Sequence, residues 1–194
     1  RVVDKMLEIA QVGPKDIVYD LGSGDGRIVI AAAKKYGARG VGIDIDPQRI
    51  AESKVNAVKA NVTDKVKFLR QDLFTSDFSD ATTVTLYLLN SLNLKLRPIL
   101  LKQLKPGTPV VSHDFHMDDW EPDQKKEISG HQIYLWYVPA KVAGQWELKP
   151  GKTPVQVTLE QKFQKLKGKA KLNGKEVEIA EGRIRGTRVS FTVP

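Results

Sequence analysis

The chain has 194 residues, 41% of them hydrophobic, which suffices for one packed domain or one domain with an appendage. It has no cysteine, which excludes a disulfide framework, a thiolate metal site and a cysteine nucleophile. No stretch approaches the length of a membrane span and no signal peptide is recognisable in the residues given; location is unknown from the sequence, with the cytoplasm as the default that the lack of cysteine fits. The net charge of +8 is uneven: residues 1–140 carry 19 Lys+Arg against 18 Asp+Glu, and residues 141–194 carry 12 against 5. That step divides the sequence into a near-neutral unit, 1–140, and a small basic unit, 141–194.

The chain opens on Arg1 within an apparent helix (Val3, Met6, Leu7, Ala10), so further residues are expected upstream. Ile17–Leu21 reads as a short apolar strand. Arg27–Tyr36 reads as a helix with Ile28, Val29, Ala32, Ala33 and Tyr36 on one side, stopped by Gly37. Gly40–Ile45 is the next strand. Pro47 then opens a helix to about Ala60, at the position where its missing N–H costs nothing. Val66–Leu69 and the β-branched Thr82–Leu89 follow as strands. Leu92–Leu104 predicts a helix in which Pro98 marks a kink or a late start. Strands at Pro109–Phe115 and Gln132–Val138 complete the series. This alternation defines an α/β class: a Rossmann-like, doubly wound, mostly parallel sheet.

Beyond residue 140 the pattern changes to strand alternation. Val155, Val157, Leu159 and Phe163 share one parity, and Leu166, Ala170 and Leu172 the other, so a turn or bulge is expected near Gln164-Lys165. Asn173-Gly174 signals a hairpin. The segment predicts a small antiparallel β-meander.

The turn after the first strand, Tyr19-Asp-Leu-Gly-Ser-Gly-Asp-Gly26, carries the chemistry. Its glycines let backbone approach a ligand, and the following helix presents free N–H groups to it. Asp20 and Asp25 would repel a pyrophosphate, so the expected guest is a cationic nucleoside without phosphate. Asp44 and Asp72 follow the second and third strands. In a doubly wound sheet all three strand ends face one crevice. A carboxylate at Asp44 suits a ribose diol, Asp72 suits an adenine amino group with Leu73 against the ring, and Asp20 suits an ammonium group.

Asp20-Leu-Gly-Ser-Gly-Asp-Gly26, Gly42-Ile-Asp44 and Gln71-Asp72-Leu73 together resemble a class I S-adenosylmethionine-dependent methyltransferase, over roughly residues 5–140. The resemblance implies S-adenosyl-L-methionine as cofactor. It maps the glycine turn onto Gly22, Gly24 and Gly26, the ribose acid onto Asp44 and the adenine-side acid onto Asp72. Ser23 and Ile45 join the same cofactor-binding set. The longer string ending in Arg27 is similar to a lysine-methylating subgroup whose relatives act on mitochondrial membrane proteins, and to Dot1-type histone lysine methyltransferases. It implies a protein lysine as acceptor. A small-molecule or RNA acceptor is the alternative, as is a non-catalytic nucleoside-binding module.

The acceptor side is expected after the fourth strand, in Tyr87-Leu-Leu-Asn90. There Tyr87 can face an amine and Asn90 can offer a carbonyl oxygen; packing in the sheet and helix capping are the structural alternatives. The segment lacks the Asn/Asp-Pro-Pro-aromatic motif of amino-directed nucleic-acid methyltransferases. His113 or His116 is a candidate proton acceptor, since imidazole titrates near neutrality. Methyl transfer needs no metal, so no metal ligand is assigned. Lys165, Lys167, Lys169 and Lys171 share one strand face. A solvated face or a guarded sheet edge is favoured over nucleic-acid binding, because aromatic residues for stacking are sparse there.

Overall fold

The first unit, Arg1–Val138 of a computed structural model that describes residues 1–194, is built on a seven-stranded sheet. Its strands are β1 (Ile17–Leu21), β2 (Arg39–Asp44), β3 (Val66–Arg70), β4 (Thr83–Leu86), β5 (Pro109–His113), β6 (Gln124–Ile128) and β7 (His131–Tyr137). Their spatial order is β3-β2-β1-β4-β5-β7-β6. The first five are parallel, and β6–β7 is an antiparallel hairpin on the β5 edge. The helices are α1 (Val2–Ile9), α2 (Arg27–Tyr36), α3 (Pro47–Lys59) and α4 (Asn90–Gln103).

The chain winds one way from β1 through β2 to β3, then returns to the other side of β1 as β4. Right-handed crossovers therefore place α2 and α3 on one face and α4 on the other. Met6 and Leu7 of α1 are fully buried with Ala32, Val29 and Leu135, and each such side chain contributes about 1.5–3 kcal/mol by leaving water. Asp46 caps α3 by accepting from Gln48 N at 2.9 Å, with Pro47 at the first helical position as expected.

Three details depart from the sequence reading. β4 ends at Leu86, so Tyr87, Leu88 and Leu89 leave the sheet and α4 begins at Asn90, ahead of the expected Leu92. Pro98 lies inside α4, on its exposed side. β6 is an additional strand: Gln-Lys-Lys-Glu-Ile has no apolar alternation because it is a largely exposed edge strand. No helix is long and apolar enough to cross a membrane.

The second unit, Pro139–Pro194, is antiparallel throughout. It comprises β8 (Gly144–Leu148), β9 (Val155–Lys162), β10 (Lys165–Leu172), β11 (Lys175–Glu178), β12 (Ala180–Arg185) and β13 (Arg188–Thr192). Val155, Val157, Leu159 and Ala170 form its core. The reversal of parity is a two-residue turn at Phe163-Gln164, with Phe163 at φ +53°, so Phe163 ends the alternation instead of continuing it. Asn173 and Gly174, both at positive φ, form the expected hairpin turn. The four alternating lysines are exposed, and Lys169 pairs with Glu176 at 3.3 Å.

Candidate active site

β1 is flanked by β2 and β4, and its C-terminal end is the point where the strand order reverses, the usual position of a ligand crevice. The chain turns sharply there. Gly22 N and Ser23 N both donate to Ile43 O, at 2.8 and 3.0 Å, and Gly26 N donates to Ser23 O at 3.0 Å. Gly22 has φ +85°, and a Cβ on it would stand 2.8 Å from Leu88 Cδ2. Gly26 has φ +81° at the start of α2, and a Cβ there would meet Phe68 at 2.7 Å and Ser53 at 2.9 Å. Glycine is required at both positions, for backbone conformation and for close helix–strand approach.

A cavity of about 510 Å³ opens beside this turn, walled by Asp20, Gly22, Ser23, Gly24, Tyr87 and His113, with Met6, Arg49 and others completing it. Asp20 is 2% exposed and accepts from Thr85 Oγ1 at 2.9 Å. Burial pushes its carboxyl up to about 7; the Thr85 bond opposes the shift, and the charges of Asp44 and Asp25 add to it. Asp25 behaves differently. Arg27 grips it with Nε and Nη2 and holds it below the ordinary carboxylate range. Of the two carboxylates in the turn, then, only Asp20 awaits a cation.

Asp44 lies at the end of β2. Its Oδ2 accepts from Gly24 N at 2.9 Å and its Oδ1 from Asp46 N at 3.0 Å, which fixes the carboxylate against the glycine turn. Each oxygen retains accepting capacity. Gln71 N donates to Asp44 O at 3.1 Å, which brings the loop bearing Asp72 and Leu73 beside Asp44. Asp72 is exposed and accepts from Phe74 N at 2.9 Å. Ile45 is 65% exposed, an unusual placement for a large apolar side chain. Asp44, Ile45, Asp72 and Leu73 thus gather at the β2 and β3 ends, outside the wall of the cavity beside Asp20. Gly26 also lies outside that wall, packed against Phe68 and Ser53.

On the other side, Tyr87 is 54% exposed and stacks on His113, with ring centroids 4.3 Å apart and 21° between planes. It is not packed in the sheet. Asn90 opens α4, where Leu89 holds the capping position. Its Nδ2 is 3.4 Å from His116 Nε2, its Oδ1 is buried without a partner, and it lies outside the cavity wall. Burial lowers the His113 imidazole, Asp114 opposes that shift and His131 adds to it. Sequence reasoning missed Met6 and Arg49 as wall residues, and missed His131, which pairing of β5 with β7 carries to His113.

The residues fit a sulfonium nucleoside. A buried carboxyl lacks a counter-charge, the turn bans side chains where a ligand must approach, and the buried Ser23 Oγ has no partner. Fold and site define an S-adenosylmethionine-dependent methyltransferase. Residues 20–124 match the ANTKMT methyltransferase domain, and the chain belongs to that family. It is 44% identical over 143 residues to a protein-lysine N-methyltransferase of Saccharolobus islandicus (strain REY15A), covering 71% of this chain and 89% of that protein. It is 32% identical over 122 residues to the adenine nucleotide translocase lysine N-methyltransferase of Mus musculus, covering 63% of this chain and only 53% of the mouse protein. A solved structure described as an RNA methyltransferase from Salinibacter ruber, in complex with S-adenosyl-L-homocysteine, superposes with a TM-score of 0.72. It is 57% identical and covers 73% of this chain and 92% of that one. S-adenosylmethionine is the cofactor of this enzyme.

Proposed function

We propose that this enzyme methylates the side-chain amine of a protein lysine. When bound, S-adenosylmethionine would supply a methyl group on a cationic sulfur, to be taken in line by the lysine nitrogen once its ammonium has given up a proton, with S-adenosylhomocysteine as the leaving group. The single observation carrying the donor side is Asp20, buried and short of a counter-charge on the cavity wall. Asp20 receives the donor's ammonium group. Gly22, Ser23 and Gly24 let the backbone approach the methionine portion, and Ser23 Oγ gains the partner it lacks. Gly26 keeps α2 against β3. Asp44 accepts from the ribose hydroxyls, Ile45 and Leu73 flank the adenine ring, and Asp72 accepts from its amino group.

On the acceptor side, Tyr87 presents its ring and hydroxyl to the incoming amine from the cavity wall, and Asn90 Oδ1, buried outside that wall, is an unused acceptor at the start of α4. Holding donor and nucleophile aligned supplies much of the rate enhancement in such a displacement. The lysine reading is supported by the archaeal and mouse relatives, both named for lysine methylation. The Salinibacter relative, described as an RNA methyltransferase, favours RNA as the second reading.

Incubation with methyl-labelled donor and a cell lysate, followed by fractionation and peptide mass spectrometry, separates them. Label on lysine residues is the expected result. Label confined to RNA overturns the lysine assignment and keeps the methyltransferase.

A further inference from the structure

Three side chains at the β5 and β7 ends bring one potential ligand atom each close together. His113 Nε2 and His131 Nδ1 are 3.0 Å apart, His131 Nδ1 and Asp114 Oδ2 are 2.8 Å apart, and His113 Nε2 and Asp114 Oδ2 are 3.3 Å apart. Two edges, His131–Asp114 and His113–His131, have hydrogen-bond geometry, and the His113–Asp114 edge does not. With Asp114 ionised, the shortest edge requires the proton on His131 Nδ1, so His113 Nε2 and Asp114 Oδ2 compete to accept the same proton. A head-on N–H···N bond at this separation would put the ring centroids ~5.3 Å apart, yet they lie 4.7 Å apart at 67°. The two rings therefore meet at an angle and not head-on, with both nitrogens beside Asp114 Oδ2.

We infer that His113, His131 and Asp114 form a binding site for a first-row divalent metal ion of the Zn²⁺ type. Tetrahedral metal–ligand bonds of ~2.0–2.2 Å place donor atoms ~3.3–3.5 Å apart, so the 2.8–3.3 Å triangle needs to open by only a few tenths of an ångström to take the ion. Two imidazoles and one carboxylate select such an ion over Mg²⁺ or Ca²⁺, which take oxygen ligands. The carboxylate is held by a hydrogen bond as a ligating carboxylate is. Asp114 Oδ1 is occupied by Gln132 N at 2.8 Å, which leaves Oδ2 for the ion. Asp114 adopts φ +64°, a conformation Asp tolerates, and its N–H bonds Gln132 O at 2.8 Å, so the carboxylate folds back over β7. The Tyr87 ring stacked on His113 fixes that imidazole. The absence of any need for a metal in methyl transfer concerns the reaction and leaves this geometry untouched. His113 also walls the cavity, so the ion stands at the acceptor side, and its binding does not depend on which acceptor is used.

The test is titration of the chelator-treated full chain with Co²⁺, read by visible ligand-field absorption, and with Zn²⁺, read by calorimetry. One ion per chain is expected, with a Zn²⁺ Kd below ~1 μM. His131→Ala and Asp114→Asn should each weaken binding by ~100-fold or more, while His116→Ala binds like the parent and Mg²⁺ does not compete. Melting curves and S-adenosylhomocysteine binding establish that each variant is folded, and His131→Gln replaces His131→Ala if the latter is not. Zn²⁺ binding equally to the parent, His131→Gln and Asp114→Asn, or no binding below ~100 μM, would overturn the assignment and leave the cluster a hydrogen-bond network only.

Discussion

The donor and acceptor sides of the cavity are built in different ways. The donor side is made from contiguous runs: residues 20–26 bend back on Ile43, and Asp44 clamps the bend through Gly24 N. Much of its specificity is backbone, held by Gly22 and Gly26, where a Cβ would clash with Leu88 and Phe68, and by Gly24, whose positive φ alone disfavours a side chain. The acceptor side is assembled from Tyr87, His113 and Asp114, and His131, separated in the chain and joined by ring stacking and strand pairing. A turn built of backbone can serve one cofactor across many acceptors, whereas side chains gathered from separate loops are free to vary with the acceptor.

The sharpest way to break this contrast is Asp20→Asn. It removes the counter-charge while keeping the Thr85 contact, and S-adenosylhomocysteine affinity should fall about 100-fold, the cost of a charge-assisted bond. Calorimetry checks it. The same change should stabilise the fold. Asp20 ionises near 7 when folded and near 3.8 when unfolded, so its contribution to stability is full below 3.8 and is lost as pH rises through 7. Asp20→Asn should therefore melt higher than the parent at pH 8, with the gap closing toward pH 4. Gly22→Ala comes next: φ +85° and the Leu88 contact should cost about 1–3 kcal/mol, seen as a lower Tm and weaker donor binding.

Tyr87→Ala should lower kcat about 10-fold or more with little change in donor Kd, which places Tyr87 on the acceptor side. An equal loss in both would move it to the donor side. Arg27→Ala should do least. Arg27 is 73% exposed in its pair with Asp25, a pair worth about 0–1 kcal/mol, so donor affinity should change by less than about fivefold.

This division also explains what the sequence discloses. Residues 20–26, 44 and 72 lie at strand ends that hydrophobic periodicity locates, so the doubly wound sheet and its strand-end acids are legible from the residues alone. Two edge strands are not. Gln124–Ile128 and Gly144–Leu148 are exposed along almost their whole length and carry no period-two signal. The end of β4 is obscured because Leu88 and Leu89 prolong its apolar run beyond the last paired residue, Leu86. The sequence assigns the ammonium to Asp20 by its place at the strand end; burial against Thr85 and the pairing of Asp25 with Arg27 supply the physical reason. His131 is invisible as a site residue because only the antiparallel register of β5 and β7 brings it to His113.

The central claim is that the buried Asp20 waits for the donor's positive charge, and proton linkage tests it directly. S-adenosylhomocysteine binding should be measured by calorimetry at pH 6 and pH 8 in buffers of different ionisation enthalpy. With Asp20 titrating near 7 in the free protein, binding should release close to one proton at pH 6 and close to none at pH 8. The pH 6 release should vanish in Asp20→Asn. No proton release at pH 6, or the same release from Asp20→Asn, would contradict the account.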